Sequence, residues 1–382
     1  MANLQKRTNG RWRARYRDSS GRQHAKHFDR KVDGQRWLNE VTASVVTGQY
    51  VDPKAGNVTF KAYAEQWRAA QVHRPSSAAH VNTMLTRHAY PTFGDRPLSS
   101  ILPSEVQAWV KRLGVADATT GRKPLAASTI GTLHSIVSSI FKAAMRDRRI
   151  IANPCDGTKL PTVERVQVVP LTTEQVETLA ANMPKELTAL VAFTAGTGMR
   201  QGEVFGLTVD RVDFLRRTVT VDRQLVTRPN KATEHGPVKT KASNRTIPLP
   251  QVVVDALAAH LKAHPAGADG LVFRLDGQPI TRQAFGHIWR PAARAAGLPA
   301  GTGMHALRHY YASLLIRYGE SVKTVQARLG HASASETLDT YSHLWPDSDD
   351  RTREAIDSVL GGDRPGTAAQ RFGDSVGTAE AP

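Results

Sequence analysis

The spacing of apolar and charged residues changes twice along this 382-residue chain, and this change most limits the folds open to it. Near the N-terminus basic and non-basic residues alternate with a period of two, as in a strand. A helical period follows over 58–152, and after residue 170 helical stretches mix with short strand-like ones. Linkers rich in Gly, Pro or basic residues at 53–57 and 151–168 separate the patterns. The sequence therefore predicts several successive domains.

The first segment predicts a small basic sheet closed by one helix. Four arginines share one face of a strand beside two aromatic residues: Arg11, Arg13, Arg15 and Arg17, with Trp12 and Tyr16. A turn at 19–21 leads to a returning strand over 23–28, and a helix over 31–47 ends at Gly48 and Pro53. A short charged face is usually only solvated. Arginines next to aromatic rings favour contact with nucleic acid.

The second segment predicts four helices with an apolar core. Pro75 and Pro103 each begin a helix, and the last helix covers 127–146 with apolar residues at i, i+3 and i+4. The Pro- and Gly-containing stretch 91–97 is expected to be a loop. These apolar stripes are typical of a helical core.

Charge and cysteine content restrict the function. The chain has 51 Lys and Arg against 34 Asp and Glu, a formal net charge of +17, which favours a polyanionic partner. No apolar run approaches a membrane span, and the N-terminus lacks the apolar core of a signal peptide. A single cysteine, Cys155, suits a reducing compartment and leaves no thiol cluster for structural zinc.

The third segment, from 170 to about 345, contains the candidate chemistry. It begins with a capping-box pattern, Thr172-x-x-Gln175, and strands are predicted over 218–225 and 245–249. After 347 the chain is polar, with one short helical stretch around 355–360, and is expected to be partly disordered.

Arg200 follows the glycine-bearing turn Gly196-Thr197-Gly198 and precedes a helix. A phosphate could there meet both backbone N–H groups and a guanidinium. The turn lacks the Gly-Lys-Ser/Thr of a P-loop. Glu203, one turn later, is expected to brace the helix or Arg200.

Three further groups could act on a phosphate ester. Lys239 lies on a predicted turn over 237–244, where it is either a solvated group or a proton donor reaching into a DNA groove. His305 and Arg308 share a helical face. His305-x3-His309 has a zinc-like spacing, but the zinc-protease pattern needs Glu where Ala306 stands.

A histidine follows a Leu-Gly helix end, and a tyrosine comes ten residues later in the stretch Leu329-Gly330-His331…Tyr341. Packing alone does not explain this combination. Together with Gly198-Met199-Arg200-x-x-Glu203, Lys239-Thr240 and His305-x-x-Arg308, it resembles in order and spacing the motifs of the tyrosine recombinase (phage integrase) family.

The resemblance implies an α+β multidomain fold with two DNA-binding domains ahead of the catalytic one. These would be a small β-sheet-plus-helix arm-type domain (1–53) and an all-α, four-helix, SAM-like core-binding domain (57–155). A linker (156–168) would lead to a mixed α/β catalytic domain (169–346) and a C-terminal tail (347–382).

The resemblance also implies residue roles. Tyr341 would be the nucleophile, Arg200 and Arg308 the phosphate clamps, and Lys239 the acid; His305 and His331 would complete the site. Chemically, two guanidinium groups can neutralise the charge of a five-coordinate phosphorus without a metal ion. The proton of the phenol would go to His305, Lys239 would protonate the leaving 5′ oxygen, and His331 would hydrogen-bond the phosphate. A 3′-phosphotyrosyl bond conserves the phosphodiester energy, so no ATP is needed.

Some residues depart from the family pattern or compete with these assignments, and two other functions would explain part of the sequence. Ala306 replaces a residue that is often acidic in the family, Lys241 is a second lysine on the same turn, and Tyr310 and Tyr311 are other tyrosines of the segment. A type IB topoisomerase would use similar chemistry without recombination. A non-catalytic DNA-binding regulator would leave the whole active-site set unexplained.

The expected partners are DNA and further copies of the chain. Double-stranded DNA with core and arm attachment sites would be bound by a homotetramer, with an accessory DNA-bending or directionality factor as a further partner. No cofactor, metal or membrane is expected, and the place of action is the nucleoid in the cytoplasm of a bacterial host cell. The predicted DNA contacts are Arg11, Arg13, Arg15, Arg17, Lys241 and Arg245.

Overall fold

A computed structural model describes residues 2–17, 21–46, 52, 55–117, 121–164, 167–226, 233–345 and 349–360. The chain divides into two compact units, Met1–Arg165 and Val166–Pro382. Among the described helices, none combines the length and the apolar composition that crossing a bilayer requires.

The N-terminal sheet has three antiparallel strands in the order β1-β2-β3: β1 (Asn3–Lys6), β2 (Trp12–Arg17) and β3 (Gln23–Phe28). Helix α1 (Lys31–Val46) packs on it, with Ala14, Tyr16 and Leu38 buried between them. Ala14 and Tyr16 therefore occupy the core face of β2, and the arginines of this strand occupy the other face. Strand β1 was not predicted. The predicted turn at Ser19-Ser20 and the helix end at Gly48 and Pro53 lie outside the described residues.

Four helical stretches form the domain that follows, as the apolar periodicity predicts. They are α2 (Phe60–Ala70), α3 (Pro75–Met84) with its continuation α4 (Tyr90–Phe93), α5 (Pro103–Leu113) and α6 (Ala127–Arg146). The Thr59 side chain caps α2 by accepting a hydrogen bond from the Ala62 N–H.

The loop predicted over 91–97 is corrected, because the helix continues to Phe93. A single π-helical stretch, Leu85–Ala89, joins α3 to α4. Pro91 is the second residue of α4, immediately after this π-helical stretch.

Large apolar side chains fill the core of this helical domain. Phe60, Phe93 and Phe141 are completely buried, and their rings meet at centroid distances of 6.0 and 5.3 Å. Cys155 is buried in the same core, and burial raises the pKa of its thiol to about 12. The helical core thus extends to the last residue of the predicted core-binding domain, 57–155.

The C-terminal unit surrounds a small antiparallel sheet with helices. The sheet has the order β4-β5-β8, with β4 (Val212–Asp213), β5 (Thr218–Val221) and β8 (Arg245–Pro248), and Val219 is paired with Ile247. A hairpin of β6 (Arg223–Val226) and β7 (Glu234–Pro237) adjoins it, and β9 (Arg274–Leu275) pairs with β10 (Gln278–Pro279).

The helices of this unit carry the candidate site. They are α7 (Thr173–Ala181), α8 (Lys185–Thr197), α9 (Gln201–Phe205), α10 (Gln251–Ala263), α11 (Arg282–Ala295), α12 (His305–Arg317), α13 (Val322–Leu329), α14 (Ala334–Tyr341) and α15 (Asp349–Leu360). The predicted capping box at Thr172 and Gln175 begins α7. Residues 361–382 of the predicted tail lie outside the described chain.

The single strand predicted over 218–225 is corrected to two strands. β5 pairs with β8, whereas β6 pairs with β7, and Asp222 lies between them. The carboxylate of Asp222 accepts hydrogen bonds from Arg211 and Arg223, which holds the chain at the point where it changes partner.

Candidate active site

Arg200 is positioned by a sharp turn between two helices. Helix α8 ends at Gly198, whose φ of 62° is in the left-handed region, and Arg200 is the N-cap of α9. A Cβ at Gly198 would lie 2.4 Å from the Tyr311 ring, so glycine is required both for the backbone and for the close approach. The prediction of an arginine between a glycine turn and a helix is confirmed in geometry.

The carboxylate of Glu203 holds two arginines in place. Its Oε1 accepts from Arg200 Nη1 at 3.1 Å and its Oε2 from Arg245 Nη2 at 2.8 Å. Burial opposes ionisation of Glu203, but the hydrogen bond and charge of Arg245, with the Arg200 contacts, outweigh it and lower the pKa of this carboxyl. Glu203 therefore braces Arg200, as the sequence predicts.

Arg245 does not fit its predicted role as a DNA contact, and this assignment is corrected. Its side chain is only 5% exposed. Besides Glu203, its guanidinium donates to the carbonyls of Arg328 and Ser243 at 2.8 and 2.9 Å. These contacts engage all three of its nitrogens, so Arg245 links β8 to α9 and α13.

Arg308 extends from α12 into the interior and is 1% exposed. Its Nη1 donates to the Gly198 carbonyl at 2.8 Å, while its buried Nε contacts no hydrogen-bond partner among the described residues. Burial, together with the positive charges of Arg200 and Arg245, lowers the pKa of Arg308 to about 9. A buried cation with an unused donor is suited to binding an anion.

His331 follows the second left-handed glycine. Gly330 ends α13 with a φ of 66°, and its carbonyl accepts from Arg200 Nη2 at 3.0 Å. The next residue, His331, contacts the Thr337 hydroxyl through Nδ1 at 2.9 Å, which fixes the orientation of its ring. The turn thus brings His331 beside Arg200.

Tyr341 is the last residue of α14 and is 1% exposed. Its hydroxyl is 2.7 Å from His309 Nδ1, and its ring is stacked on His331 with a centroid distance of 6.5 Å. Burial raises the pKa of Tyr341 to about 12, although the charge of Arg308 acts in the opposite direction. The phenol is therefore protonated and hydrogen-bonded in the free chain.

Three histidines surround these groups in the neutral state. Desolvation, followed by nearby positive charge, lowers the pKa of His305, His309 and His331 to about 4 in each case. His305 reaches the surface and contacts His309 edge to face at a centroid distance of 4.7 Å. The structure thus brings together Arg200, Arg308, His305, His331 and Tyr341, with Glu203 behind them.

The two candidate lysines lie on the segment whose Ser243 hydroxyl contacts Arg200. Lys239 and Lys241 are exposed between β7 and β8, and Lys239 makes no hydrogen bond or ion pair with any other described residue. Of the arginines on β2 and before it, Arg11 pairs with Asp29 at 2.8 Å and Arg17 is exposed, while Arg13 and Arg15 are half-buried.

Two residues of the site were missed as functional candidates, and a third, His309, was considered only as a zinc ligand. His309, Ser243 and Thr337 each contact a predicted site residue: Tyr341, Arg200 and His331, respectively. For His309 the sequence offers one clue, since it lies four residues after His305 on the same helical face. The contacts of Ser243 and Thr337 depend on tertiary folding.

Three family models match the chain in succession. The model described as "Phage integrase, N-terminal domain" matches residues 3–47, "Phage integrase central domain" matches 60–159, and "Phage integrase family" matches 170–347. The last range contains every residue of the site described above.

Individual proteins agree with these matches. A prophage phiRv2 integrase of Mycobacterium tuberculosis is 29% identical over 346 residues, 87% of this chain and 89% of the relative. A XerC-like tyrosine recombinase of Caldanaerobacter subterraneus is 30% identical over 268 residues, 61% of this chain and 66% of the relative.

Solved structures show the same fold. The Tn1549 transposon integrase in complex with circular intermediate DNA matches with a TM-score of 0.66 and 24% identity, covering 79% of this chain and all of that one (100%). A lambda integrase tetramer bound to a Holliday junction matches with a TM-score of 0.56 and 17% identity, covering 87% of this chain and 96% of that one.

Proposed function

This chain belongs to the phage integrase family of tyrosine recombinases and is an enzyme of that type, and from this premise we propose that it recombines DNA at specific sites with Tyr341 as the nucleophile. The phenol oxygen attacks a DNA phosphodiester and forms a 3′-phosphotyrosyl bond. Rejoining to another strand then integrates a phage or other mobile element into a chromosome, or excises it.

The observation that carries this proposal is that Tyr341 belongs to the same cluster as the cationic side chains of Arg200 and Arg308. Glu203 holds Arg200 in place, and the Gly198 carbonyl holds Arg308. The charge of Arg308 acts to lower the pKa of the Tyr341 hydroxyl, and the charge of Arg200 acts to lower the pKa of Arg308. Two neighbouring guanidinium groups repel one another in the free chain. A phosphodiester between them would remove that repulsion and supply an acceptor for the unused Arg308 Nε. The arrangement is therefore suited to a transition state with more negative charge than the substrate.

Lys239 and His331 supply the remaining contacts in this proposal. The Lys239 amino group, unpaired within the described chain, is available to enter a groove of bound DNA and to protonate the leaving 5′ oxygen. The His331 ring is fixed through Thr337 and can direct Nε2 toward a phosphate oxygen. Neither step uses a metal ion, so we expect strand cleavage to continue in EDTA.

The reaction defines the partners. Recombination between two duplexes breaks four strands, and each chain supplies one Tyr341, so four copies assemble on two core sites. The basic face of the N-terminal sheet, with Arg11, Arg13, Arg15 and Arg17, would hold a separate arm site, and Lys241 would contact the core site. An accessory DNA-bending or directionality factor would bring arm and core together, and the work would take place on the bacterial nucleoid.

A suicide substrate tests the proposed nucleophile. The probe is duplex DNA from the region adjoining the gene, nicked so that the cleaved fragment diffuses away. In EDTA, wild-type chain and the control Tyr318→Phe, which changes an exposed tyrosine just after α12, should form a covalent protein–DNA adduct. Tyr341→Phe should form none, because the variant lacks only the attacking oxygen. An adduct with Tyr341→Phe would overturn the assignment.

The same DNA distinguishes recombination from topoisomerase activity. A recombinase joins strands between two duplexes that carry the site. Relaxation of supercoiled plasmids without any strand exchange would instead favour a type IB topoisomerase.

A further inference from the structure

We propose that His309 is a catalytic residue that accepts the phenol proton when Tyr341 attacks the phosphate. This proposal rests on the proposed function, because it concerns the same nucleophile. It assigns to His309 the step that the motif pattern gives to His305.

Geometry distinguishes the two histidines. His309 Nδ1 is 2.7 Å from the Tyr341 hydroxyl, a normal distance for a hydrogen bond in which the phenol donates. His305 contacts the His309 ring instead, on the side of the cluster that reaches the surface. Only a group within hydrogen-bond reach of the attacking oxygen can remove its proton directly.

The surroundings of His309 keep its ring ready to accept. The charged or titratable groups that face it are His305 and Arg308 on its own helix and Tyr341 on α14. Desolvation, together with the repulsion that Arg308 and a protonated His305 would exert on a second cation, favours the neutral ring, so a lone pair is available at Nδ1 when Nε2 carries the proton. A bound phosphodiester lies near Arg308 and weakens its repulsion, which strengthens the base at the moment when substrate is present.

The Tyr341 Oη–phosphorus bond forms, the bond from phosphorus to the 5′ oxygen breaks, and the phenol proton passes to His309 Nδ1. Lys239 gives a proton to the 5′ oxygen. On rejoining, a 5′ hydroxyl returns its proton to the lysine, and the His309 imidazolium restores the phenol.

Four variants test the role through the rate of adduct formation on the nicked duplex. Loss of a general base lowers a rate by about 10²–10⁴. We therefore expect His309→Ala and His309→Asn to form adduct at least about 100-fold more slowly than wild type at neutral pH. His309→Asn keeps a hydrogen-bond acceptor near Nδ1 but takes up no proton. His305→Ala, a change within the cluster itself, should lose less than His309→Ala, and the exposed control His287→Asn on α11 should lose little.

The pH profile separates a base from a merely structural group. Without His309 only the ionised phenol can attack, and its fraction rises about tenfold per pH unit below the phenol pKa. The deficit of His309→Asn should therefore shrink as the pH is raised from 7 to 9. In addition, 3,5-difluorotyrosine at position 341, which ionises more readily, should restore adduct formation to His309→Ala.

The outcomes are distinguishable. A deficit that stays constant with pH and is not rescued by the fluorinated tyrosine would overturn the proposal and assign His309 a packing role. Unchanged or faster adduct formation in His309→Ala would show that the hydrogen bond only restrains Tyr341 in the free chain, which also overturns it. Absence of adduct in the wild-type chain itself would contradict the proposed function instead.

Discussion

The helical domain and the active site both bury large side chains, but the chemistry that they bury differs. Phe60, Phe93 and Phe141 are completely buried among apolar neighbours, whereas Arg308 and Tyr341, each 1% exposed, carry polar groups into the interior. Burying an aromatic ring favours folding, and burying a guanidinium with an unpaired nitrogen opposes it. The first region is therefore organised for stability, and the second keeps groups that only a substrate can satisfy.

The largest effect is expected in the helical core. Phe141→Ala should destabilise the helical domain by about 3–5 kcal/mol, because it removes a ring that contacts Phe60 and leaves a cavity. Chemical denaturation of the full chain, followed by tryptophan fluorescence, measures this. Leu102→Ala, at an exposed position of the same domain, is the control and should change stability by less than about 0.5 kcal/mol. Equal stabilities of the two variants would show that burial of this ring does not stabilise the domain.

The opposite behaviour is expected at the active site. Arg308→Met should slow adduct formation by about 10²–10³ or more, because a donor to the transition-state phosphate is lost. The free energy of unfolding should stay the same or increase, since a buried charge with an unused nitrogen is replaced by an apolar chain of similar length. Arg317→Met, at the exposed end of α12, is the matched control. A strongly destabilised Arg308→Met chain would mean that Arg308 stabilises the fold, as the buried rings of the helical domain do.

The smallest effect concerns the dependence of stability on pH. The pKa of His305, His309 and His331 in the folded chain is about 4, below the ordinary value of about 6.5. The unfolded chain therefore binds more protons as the pH falls through about 6.5, and the contribution of these histidines to stability is lost progressively toward pH 4.

Site-specific titration by NMR checks this prediction. Histidine ring signals that disappear in His309→Asn and His331→Asn should titrate well below pH 6 in the free chain. They should shift to higher pH when DNA is bound, because a phosphate offsets the positive charges of Arg308 and Arg200. Ring signals that titrate near 6.5 in the free chain would contradict the electrostatic description of the site.

Much of the helical architecture could be predicted because its determinants are local. The apolar period predicts a helix over 127–146, and these are the observed ends of α6. Proline or capping residues mark the starts of α3, α5 and α7. Short strands such as β1 and β7 offer only four residues each, too few for a reliable alternation. The continuation of α3 through a π-helical stretch, with Leu85 and Ala89 buried, could not be predicted from helix propensity either.

The site shows the same division between local and long-range information. Motif order pointed to Arg200, Arg308, His331 and Tyr341, which the structure brings together. The partner of the Tyr341 hydroxyl could not be predicted, because His309 is 32 residues away in sequence and the contact depends on how α12 faces α14. Arg245 was placed on the DNA because its charge was visible in the sequence, whereas its burial against Glu203 was not.

The turn at Gly198 has a consequence for how such an enzyme can be altered. One carbonyl, that of Gly198, anchors Arg308, and the same turn leads two residues later to Arg200. Any change that moves this turn therefore moves both cations at once. Efforts to evolve new target sequences should find that substitutions around 198–200 change the position of the phosphate itself, whereas surfaces remote from this turn can be redesigned without altering the geometry of strand exchange.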